Sequence, residues 1–190
     1  APSAVPRVPH ARFRGTSQAG VRGDTVHSFD WTVGQVLASL DRRKLTDNTL
    51  VIITSDNGGV LDTNGPDEVN AGTVATNNGH PHNGALRAGK GSAYEGGTRV
   101  PFLVRWPGHV KAGGVSDELV CHVDMLASFA ALTGQALPTD AAPDSFNVLP
   151  ALLHAKPEKA CRDHLIEQGN VLAVRKGQWK LIPRGRAGAK

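Results

Sequence analysis

Cysteine, aromatic side chains and long apolar runs are all scarce in this sequence of 190 residues. Its two cysteines, Cys121 and Cys161, form neither a C-x-x-C pair nor a zinc-ligand spacing, and they are compatible with one disulfide or with two buried thiols. No window reaches the apolar length of a membrane helix, and the first residues lack the apolar centre of a signal peptide. We therefore predict no membrane segment in this chain, while its cellular compartment stays open.

Positive charge is in excess but is not concentrated on any one segment. The formal net charge is +4, which by itself favours an acidic partner. The densest basic run, Arg42-Arg43-Lys44, falls at the end of a predicted helix, where the helix dipole favours cations. The few aromatic residues are not interleaved with a basic stripe, so the sequence predicts no nucleic-acid binding.

The first periodic segment predicts a long amphipathic helix. It is expected to begin at about Asp24, a good N-cap residue, and to end at Lys44. Apolar residues recur there at steps of three and four positions and form one stripe: Val26, Phe29, Val33, Val36, Leu37 and Leu40.

Two apolar, β-branched runs predict strands. Thr49–Ser55 and Val100–Trp106 have the continuous apolar pattern of strands buried on both faces of a parallel sheet. A helix that ends at Gly134 follows, and a hairpin is predicted about the turn Lys176-Gly177. This order predicts an α/β fold, with a partial mixed or parallel sheet flanked by helices and the start of a small antiparallel sheet after it.

A long polar loop, residues 61–91, separates the two predicted strands and ends in Gly84-x-x-x-x-Gly89-Lys90. That spacing matches all but the last position of a phosphate-binding P-loop. Its context does not fit, because no strand precedes it, the glycines after it predict that no helix starts there, and Gly91 replaces the magnesium-binding Ser or Thr. The residues alone therefore predict a solvated loop lysine at position 90.

Three segments, taken in order, read DNTLVIITSDNGG, LRAGKGSAYEGGTRVPFLVRWPG and VDMLASFAALTG. Together they resemble the sulfatase family of the alkaline-phosphatase-like superfamily, and the later segment AVRKGQWKLI resembles the start of the family's C-terminal sheet. The resemblance implies an alkaline-phosphatase-like α/β fold. It also implies that residues 1–154 are the C-terminal portion of a sulfatase catalytic domain and that residues 155–190 begin its C-terminal subdomain.

The resemblance implies a metal-binding pair at the end of the first predicted strand. Asp56 and Asn57 match the family residues that bind a divalent cation, usually Ca²⁺. Carboxylate and amide oxygens are ligands that Ca²⁺ accepts, and ligands of open α/β sheets bind where strands end. Without the resemblance, the same residues predict an ordinary Asp-Asn-Gly turn.

Two loop residues are candidates for contacts with substrate. Lys90 matches the family lysine that contacts the sulfate ester, where an ammonium group stabilises charge that develops in the transition state. His80 lies on the same loop and is a weaker candidate, because a loop histidine is more often solvated. Glu95, Gly96, Gly97 and Arg99 are expected to shape the turn into the second strand.

The sequence also departs from the family pattern. Sulfatases use a formylglycine made from the Cys or Ser of a Cys/Ser-x-Pro/Ala-Ser/Ala-Arg motif, and no cysteine or serine here has that context. The other metal carboxylates of the family have no counterpart, and Ala4 stands where a sulfate-contacting histidine is common. We therefore expect a fragment whose nucleophile lies in a preceding segment, and we expect the isolated chain to be inactive.

The function implied by the resemblance is hydrolysis of a sulfuric ester, either a small sulfate ester or a sulfated carbohydrate. Two alternatives stay open: a phosphate or phosphonate ester hydrolase of the same superfamily, or a non-catalytic binding domain descended from it. Sulfatases are commonly periplasmic, secreted or lysosomal, and the sequence alone does not choose between these.

Overall fold

The computed structural model of the chain describes residues 9–60, 78–154 and 157–183. The chain divides into two compact units. The first unit comprises residues 1–49 and 54–101, and the second comprises residues 50–53 and 102–190. The predicted boundary between residues 154 and 155 stays a prediction, as do the expectations for Ala4 and for residues 61–77, which lie outside the described residues.

The first unit contains the long helix α1, Gly20–Arg42. The predicted start at Asp24 is wrong, because the helix begins four residues earlier, with Ala19 as an N-cap that provides no side-chain hydrogen bond. The Asp24 carboxylate instead accepts hydrogen bonds from the backbone N–H groups of Gly15 (2.7 Å) and Ser17 (2.9 Å). It therefore fixes the segment before the helix to the first turns of α1.

A single helical turn, α2 (Glu95–Thr98), follows the lysine-containing loop. The prediction that no helix starts there is wrong. The Gly96 N–H donates to the Arg87 carbonyl at 2.8 Å, and a Cβ on Gly96 would lie only 2.0 Å from the Ala88 carbonyl oxygen. The turn forms because a residue without a side chain lets it pack directly on backbone, which compensates for the poor helix propensity of glycine.

The second unit begins with β1 (Val51–Thr54), whose last residue is counted with the first unit, and β2 (Phe102–Arg105). The two strands form a two-stranded sheet, and each is shorter than its predicted run. The expected burial on both faces is wrong, since Leu103 is 56% exposed and the core of β1 is only half-buried. In the described part of the chain this sheet has two strands, and so narrow a sheet leaves much of its surface open. The α/β class is confirmed, and the parallel direction of these strands stays a prediction.

Two helices follow β2, α3 (Met125–Leu132) and α4 (Leu149–Leu153). The predicted stop of α3 at Gly134 is confirmed, because this residue adopts φ +67°, the left-handed conformation typical of a helix C-terminus. The sequence analysis did not predict α4, a short helix with Pro150 in its first turn, where proline is tolerated.

The fully buried Asp124 connects three segments of the second unit. Its carboxylate accepts hydrogen bonds from Cys121 N–H at 2.8 Å, Phe146 N–H at 3.0 Å and the Arg162 guanidinium at 2.7 Å. A buried carboxylate is stable when it has such partners, because its charge is both paired and hydrogen-bonded. Both cysteines are free and half-buried, so the structure contains two thiols and not a disulfide.

The second unit ends in a three-stranded antiparallel sheet of β3 (Leu165–Gln168), β4 (Leu172–Lys176) and β5 (Trp179–Leu181). The predicted hairpin is confirmed as β4 and β5, with Gly177 at φ +54° in the turn, whereas β3 was not predicted. Ile166, Val174 and Leu181 are aligned across the three strands, and all three are exposed.

No described helix is long and apolar enough to cross a membrane.

The Asp24 carboxylate predicts a pH-dependent contribution to stability. Burial raises the pKa of this carboxyl, but the hydrogen bonds from Gly15 and Ser17 outweigh burial and bring the pKa below its ordinary value of 3.8. Because the folded pKa is the lower one, the ionised group stabilises the fold above the ordinary pKa, and this contribution is lost as the pH falls through the folded pKa.

We therefore expect Asp24→Asn to lower the free energy of unfolding most at neutral pH, with the difference from wild type shrinking in acid. Urea unfolding at a series of pH values measures this difference. The exposed Asp30 on the same helix provides the control for the loss of one negative charge, and Asp30→Asn is expected to change the free energy of unfolding at neutral pH by less than about 0.5 kcal/mol. An equal deficit of Asp24→Asn at all pH values would contradict the assignment.

Candidate active site

The four residues predicted for the site, Asp56, Asn57, His80 and Lys90, all lie in the first unit. Asp56 and Asn57 form a bend directly after β1, where Asp56 is exposed and Asn57 is half-buried. The Ser55 hydroxyl donates to the Asn57 carbonyl at 2.9 Å and stabilises this bend. The strand thus delivers both oxygen-bearing side chains to its C-terminal end, as the sequence predicts.

Backbone hydrogen bonds bring Lys90 next to this bend. We name residues 56–59 the acid–amide turn and residues 87–92 the lysine loop. The Lys90 N–H donates to the Gly59 carbonyl at 3.0 Å, and the Gly58 N–H donates to the Gly97 carbonyl at 2.9 Å. The structure therefore places two predicted parts of the site side by side, although they are far apart in the sequence.

Glycine makes this close approach possible. A Cβ on Gly58 would lie 1.7 Å from the Gly96 carbonyl oxygen, and a Cβ on Gly97 would lie 2.1 Å from the Ser92 carbonyl oxygen. Both contacts are with backbone atoms, which have little freedom to move away. The glycines of the sequence signature thus let the acid–amide turn, the lysine loop and α2 pack backbone against backbone.

His80 is not brought into the same hydrogen-bonded arrangement. It is exposed, two residues after Asn78, whose side-chain amide donates to the Gln18 carbonyl at 2.9 Å. Among the described residues, no hydrogen bond joins His80 to Asp56, Asn57 or Lys90. Its predicted contact with substrate therefore stays a prediction.

The acid–amide turn has donor groups suited to a hard cation. Asp56 offers a carboxylate and Asn57 an amide carbonyl, both oxygen ligands of the kind Ca²⁺ takes. Two side chains are far fewer than the six to eight ligands typical of Ca²⁺. In the part of the chain that the structure describes, no three His, Cys, Asp or Glu side chains come together as a metal site. Asp56 and Asn57 therefore fit such an ion by chemistry and would supply only a minority of its ligands.

Two residues near the site were missed by sequence reasoning. The Asn83 side chain accepts a hydrogen bond from Gly59 N–H at 2.8 Å, and the Arg22 guanidinium lies 2.7 Å from the position a Cβ on Gly59 would take. The dipeptide Asn83-Gly84 signals only a turn, and Arg22 precedes the predicted start of the first helix at Asp24. No periodic pattern connects either residue with Gly59.

The chain belongs to the sulfatase family. The family profile described as Sulfatase matches residues 2–135, and the profile described as N-sulphoglucosamine sulphohydrolase, C-terminal, matches residues 89–182. The two matches together cover both units and include the acid–amide turn and the lysine loop.

Similar curated proteins carry sulfatase names. An N-acetylgalactosamine-6-O-sulfatase of Bacteroides thetaiotaomicron is 48% identical over 180 residues, which cover 94% of this chain and 34% of that protein. Human N-acetylgalactosamine-6-sulfatase is 40% identical over 144 residues, which cover 76% of this chain and 25% of that protein. The chain thus spans about a third or less of the length of these relatives.

Solved sulfatase structures share the fold. A structure described with glycosaminoglycan metabolism by Bacteroides thetaiotaomicron superposes with a TM-score of 0.86 at 48% identity, covering 97% of this chain and 38% of that one. Another, solved in complex with a neocarrahexaose, has a TM-score of 0.71 at 28% identity and covers 92% of this chain and 38% of that one.

The packing of the acid–amide turn predicts a severe effect of one added methyl group. Gly58→Ala is expected to lower the free energy of unfolding by about 3 kcal/mol, because the new Cβ overlaps the Gly96 backbone. Gly34→Ala is the matched control: a Cβ on Gly34, inside α1, meets nothing within 4 Å and is expected to stabilise the helix by up to about 1 kcal/mol. Urea unfolding of both variants checks this, and equal midpoints would contradict the packing.

Proposed function

We propose that the full-length protein containing this chain is a sulfuric ester hydrolase, and that this chain supplies part of its active site. The observation that supports the proposal most directly is the hydrogen bond from Lys90 N–H to the Gly59 carbonyl, 3.0 Å long. It holds the candidate sulfate-binding lysine beside the candidate cation-binding turn. The Lys90 ammonium group and a cation bound at this turn would together suit a tetrahedral anion whose negative charge is spread over several oxygens.

Asp56 and Asn57 would hold the divalent cation, which is Ca²⁺ by family resemblance. When bound, the ion supplies positive charge that neutralises the oxygens of the sulfate group. Asp56 is exposed and Asn57 is half-buried, so neither side chain is closed off from a cation at the end of β1. The remaining ligands are expected from other segments of the full-length protein, because the described residues of this chain bring no further carboxylate into a metal cluster with these two side chains.

Lys90 would bind the sulfate ester directly. Its side chain is exposed, whereas the preceding Gly89 is buried, so the backbone is anchored while the ammonium group is free to meet substrate. Cleavage of the ester S–O bond places negative charge on the leaving oxygen. An ammonium group beside the leaving oxygen stabilises this charge more than it stabilises the ground state, which lowers the barrier.

The nucleophile is proposed to be a formylglycine outside these 190 residues. Neither Cys121 nor Cys161 lies in the required motif, and the chain matches only 34% of its Bacteroides relative. The predicted inactivity of the isolated chain follows from this proposal.

A sulfated carbohydrate is the substrate class we propose. Two of the similar proteins are named as N-acetylgalactosamine-6-sulfatases, and one solved structure contains a neocarrahexaose. Sulfatases that are also similar to this chain are named steryl-sulfatases, so a small sulfate ester is the alternative substrate.

We further propose that β1 and β2 belong to a parallel sheet, as the resemblance implies.

Removal of the Lys90 ammonium group tests the proposed function. In the full-length protein, Lys90→Ala is expected to reduce kcat/KM for an aryl sulfate by about a hundredfold or more, as is typical when one donor to a developing oxyanion is lost. Lys111→Ala removes an exposed lysine of the second unit and serves as the control. A Lys90→Ala variant with nearly normal turnover would exclude this lysine from the mechanism, and faster turnover of an aryl phosphate than of the sulfate would contradict the substrate class.

A further inference from the structure

The Asn83 side chain lies between the acid–amide turn and the lysine loop and hydrogen-bonds to both. Its Oδ1 accepts from Gly59 N–H at 2.8 Å. Its Nδ2 donates to the Gly59 carbonyl at 3.3 Å and to the Ala88 carbonyl at 2.9 Å. One amide therefore contacts both backbone groups of Gly59, which is 24 residues away in sequence, and also reaches the loop two residues before Lys90.

Of the two carbonyls that Asn83 contacts, one accepts the Lys90 N–H and the other belongs to Ala88, two residues before Lys90. The Gly59 carbonyl also accepts the Lys90 N–H, so Asn83 and Lys90 share one acceptor. Ala88 has φ +62°, a left-handed conformation that residues with a side chain rarely adopt. Such a conformation persists only where surrounding contacts hold it, and the bond from Asn83 to the Ala88 carbonyl is one of these contacts.

The side-chain amide of Asn83 has the donors and the acceptor that these three hydrogen bonds require. The Gly59 N–H needs an acceptor, and the carbonyls of Gly59 and Ala88 each need a donor. The side-chain amide of one asparagine carries the acceptor oxygen and both N–H donors. The three bonds also fix which end of the amide carries oxygen. Aspartate has the same shape and would keep the acceptor, but it would place a carboxylate oxygen against two carbonyl oxygens.

We infer that Asn83 is a positioning residue that couples the acid–amide turn to Lys90, so that the ammonium group and the candidate cation ligands keep a fixed relation. This inference rests on the proposed function, because it assigns Asn83 a role that acts through Lys90. Asn83 itself is not expected to touch substrate.

A double-mutant cycle in the full-length protein tests the inference. Asn83→Ala is expected to lower both kcat/KM for an aryl sulfate and the affinity for inorganic sulfate by about tenfold to a hundredfold, as supporting residues commonly do. In a Lys90→Ala background the same change is expected to cost less than about twofold, because the group it positions is absent. Sulfate affinity is measured by competition and by calorimetry.

Further variants separate positioning from simple stabilisation. Asn83→Ser removes both amide donors but leaves a small polar side chain, and it serves if the alanine variant does not fold. Asn147→Ala is the control. It removes the hydrogen bond from Leu149 N–H to the Asn147 side chain in the second unit, and it should change neither kcat/KM nor the affinity for sulfate. Amide hydrogen exchange should accelerate at Gly59 and Lys90 in the Asn83 variants only.

The outcomes distinguish the two hypotheses. If Asn83→Ala lowers kcat/KM and sulfate affinity by the same factor in the wild type and in the Lys90→Ala background, the positioning role is overturned while the proposed function stays intact. Unchanged exchange at Gly59 and Lys90 would overturn it as well. If Lys90→Ala has no effect on turnover or sulfate affinity, the proposed function fails first, and the inference about Asn83 fails with it.

Discussion

The close packing of two glycine-rich backbone segments is the constraint on which the candidate site depends. Lys90 reaches the acid–amide turn because its N–H bonds the Gly59 carbonyl, and that bond requires backbones without side chains between them. Gly58 faces the Gly96 carbonyl so closely that even a methyl group would overlap it. The backbones that carry the candidate side chains are thus brought together by residues that have no side chain, and the exposed Lys90 is anchored through its own backbone.

Asparagine side chains and short helical turns complete this arrangement. Asn83 bridges the two segments, and α2 packs on the lysine loop through Gly96. On the other side, Asp24 fixes the segment before α1, the helix that carries Arg22 close to Gly59. Polar side chains that bond to backbone therefore support the site, while the apolar stripe of α1 contributes less, since Val26 and Val36 are each 53% exposed.

Local patterns predicted the elements whose causes are local. The hairpin at Gly177 and the helix end at Gly134 follow from single glycines with positive φ, and both were predicted. The start of α1 was predicted at Asp24 because this residue is a good cap, but its carboxylate bonds backwards to Gly15 and Ser17. No local pattern tells whether the Asp24 carboxylate caps a helix that begins after it or bonds to the backbone of the preceding segment.

The chemistry of the candidate site was more predictable than its geometry. Asp56, Asn57 and Lys90 were identified by family resemblance, and the hydrogen bond between Lys90 and Gly59 agrees with it. The role of Asn83 was not predictable, because it depends on a contact between residues 24 positions apart. Such a contact exists only once both loops have folded, and a single sequence contains no sign of it.

The central claim is that a cation on Asp56 and Asn57 lies next to the Lys90 ammonium group, and paramagnetic NMR tests it most directly. The full-length protein would be labelled with ¹⁵N-lysine and titrated with Gd³⁺, a hard cation that takes oxygen ligands as Ca²⁺ does. The account predicts that Lys90 is the first lysine signal to broaden, that excess Ca²⁺ restores it, and that Asp56→Asn prevents the broadening. Specific Gd³⁺ binding that depends on Asp56 but leaves the Lys90 signal unchanged would contradict the account.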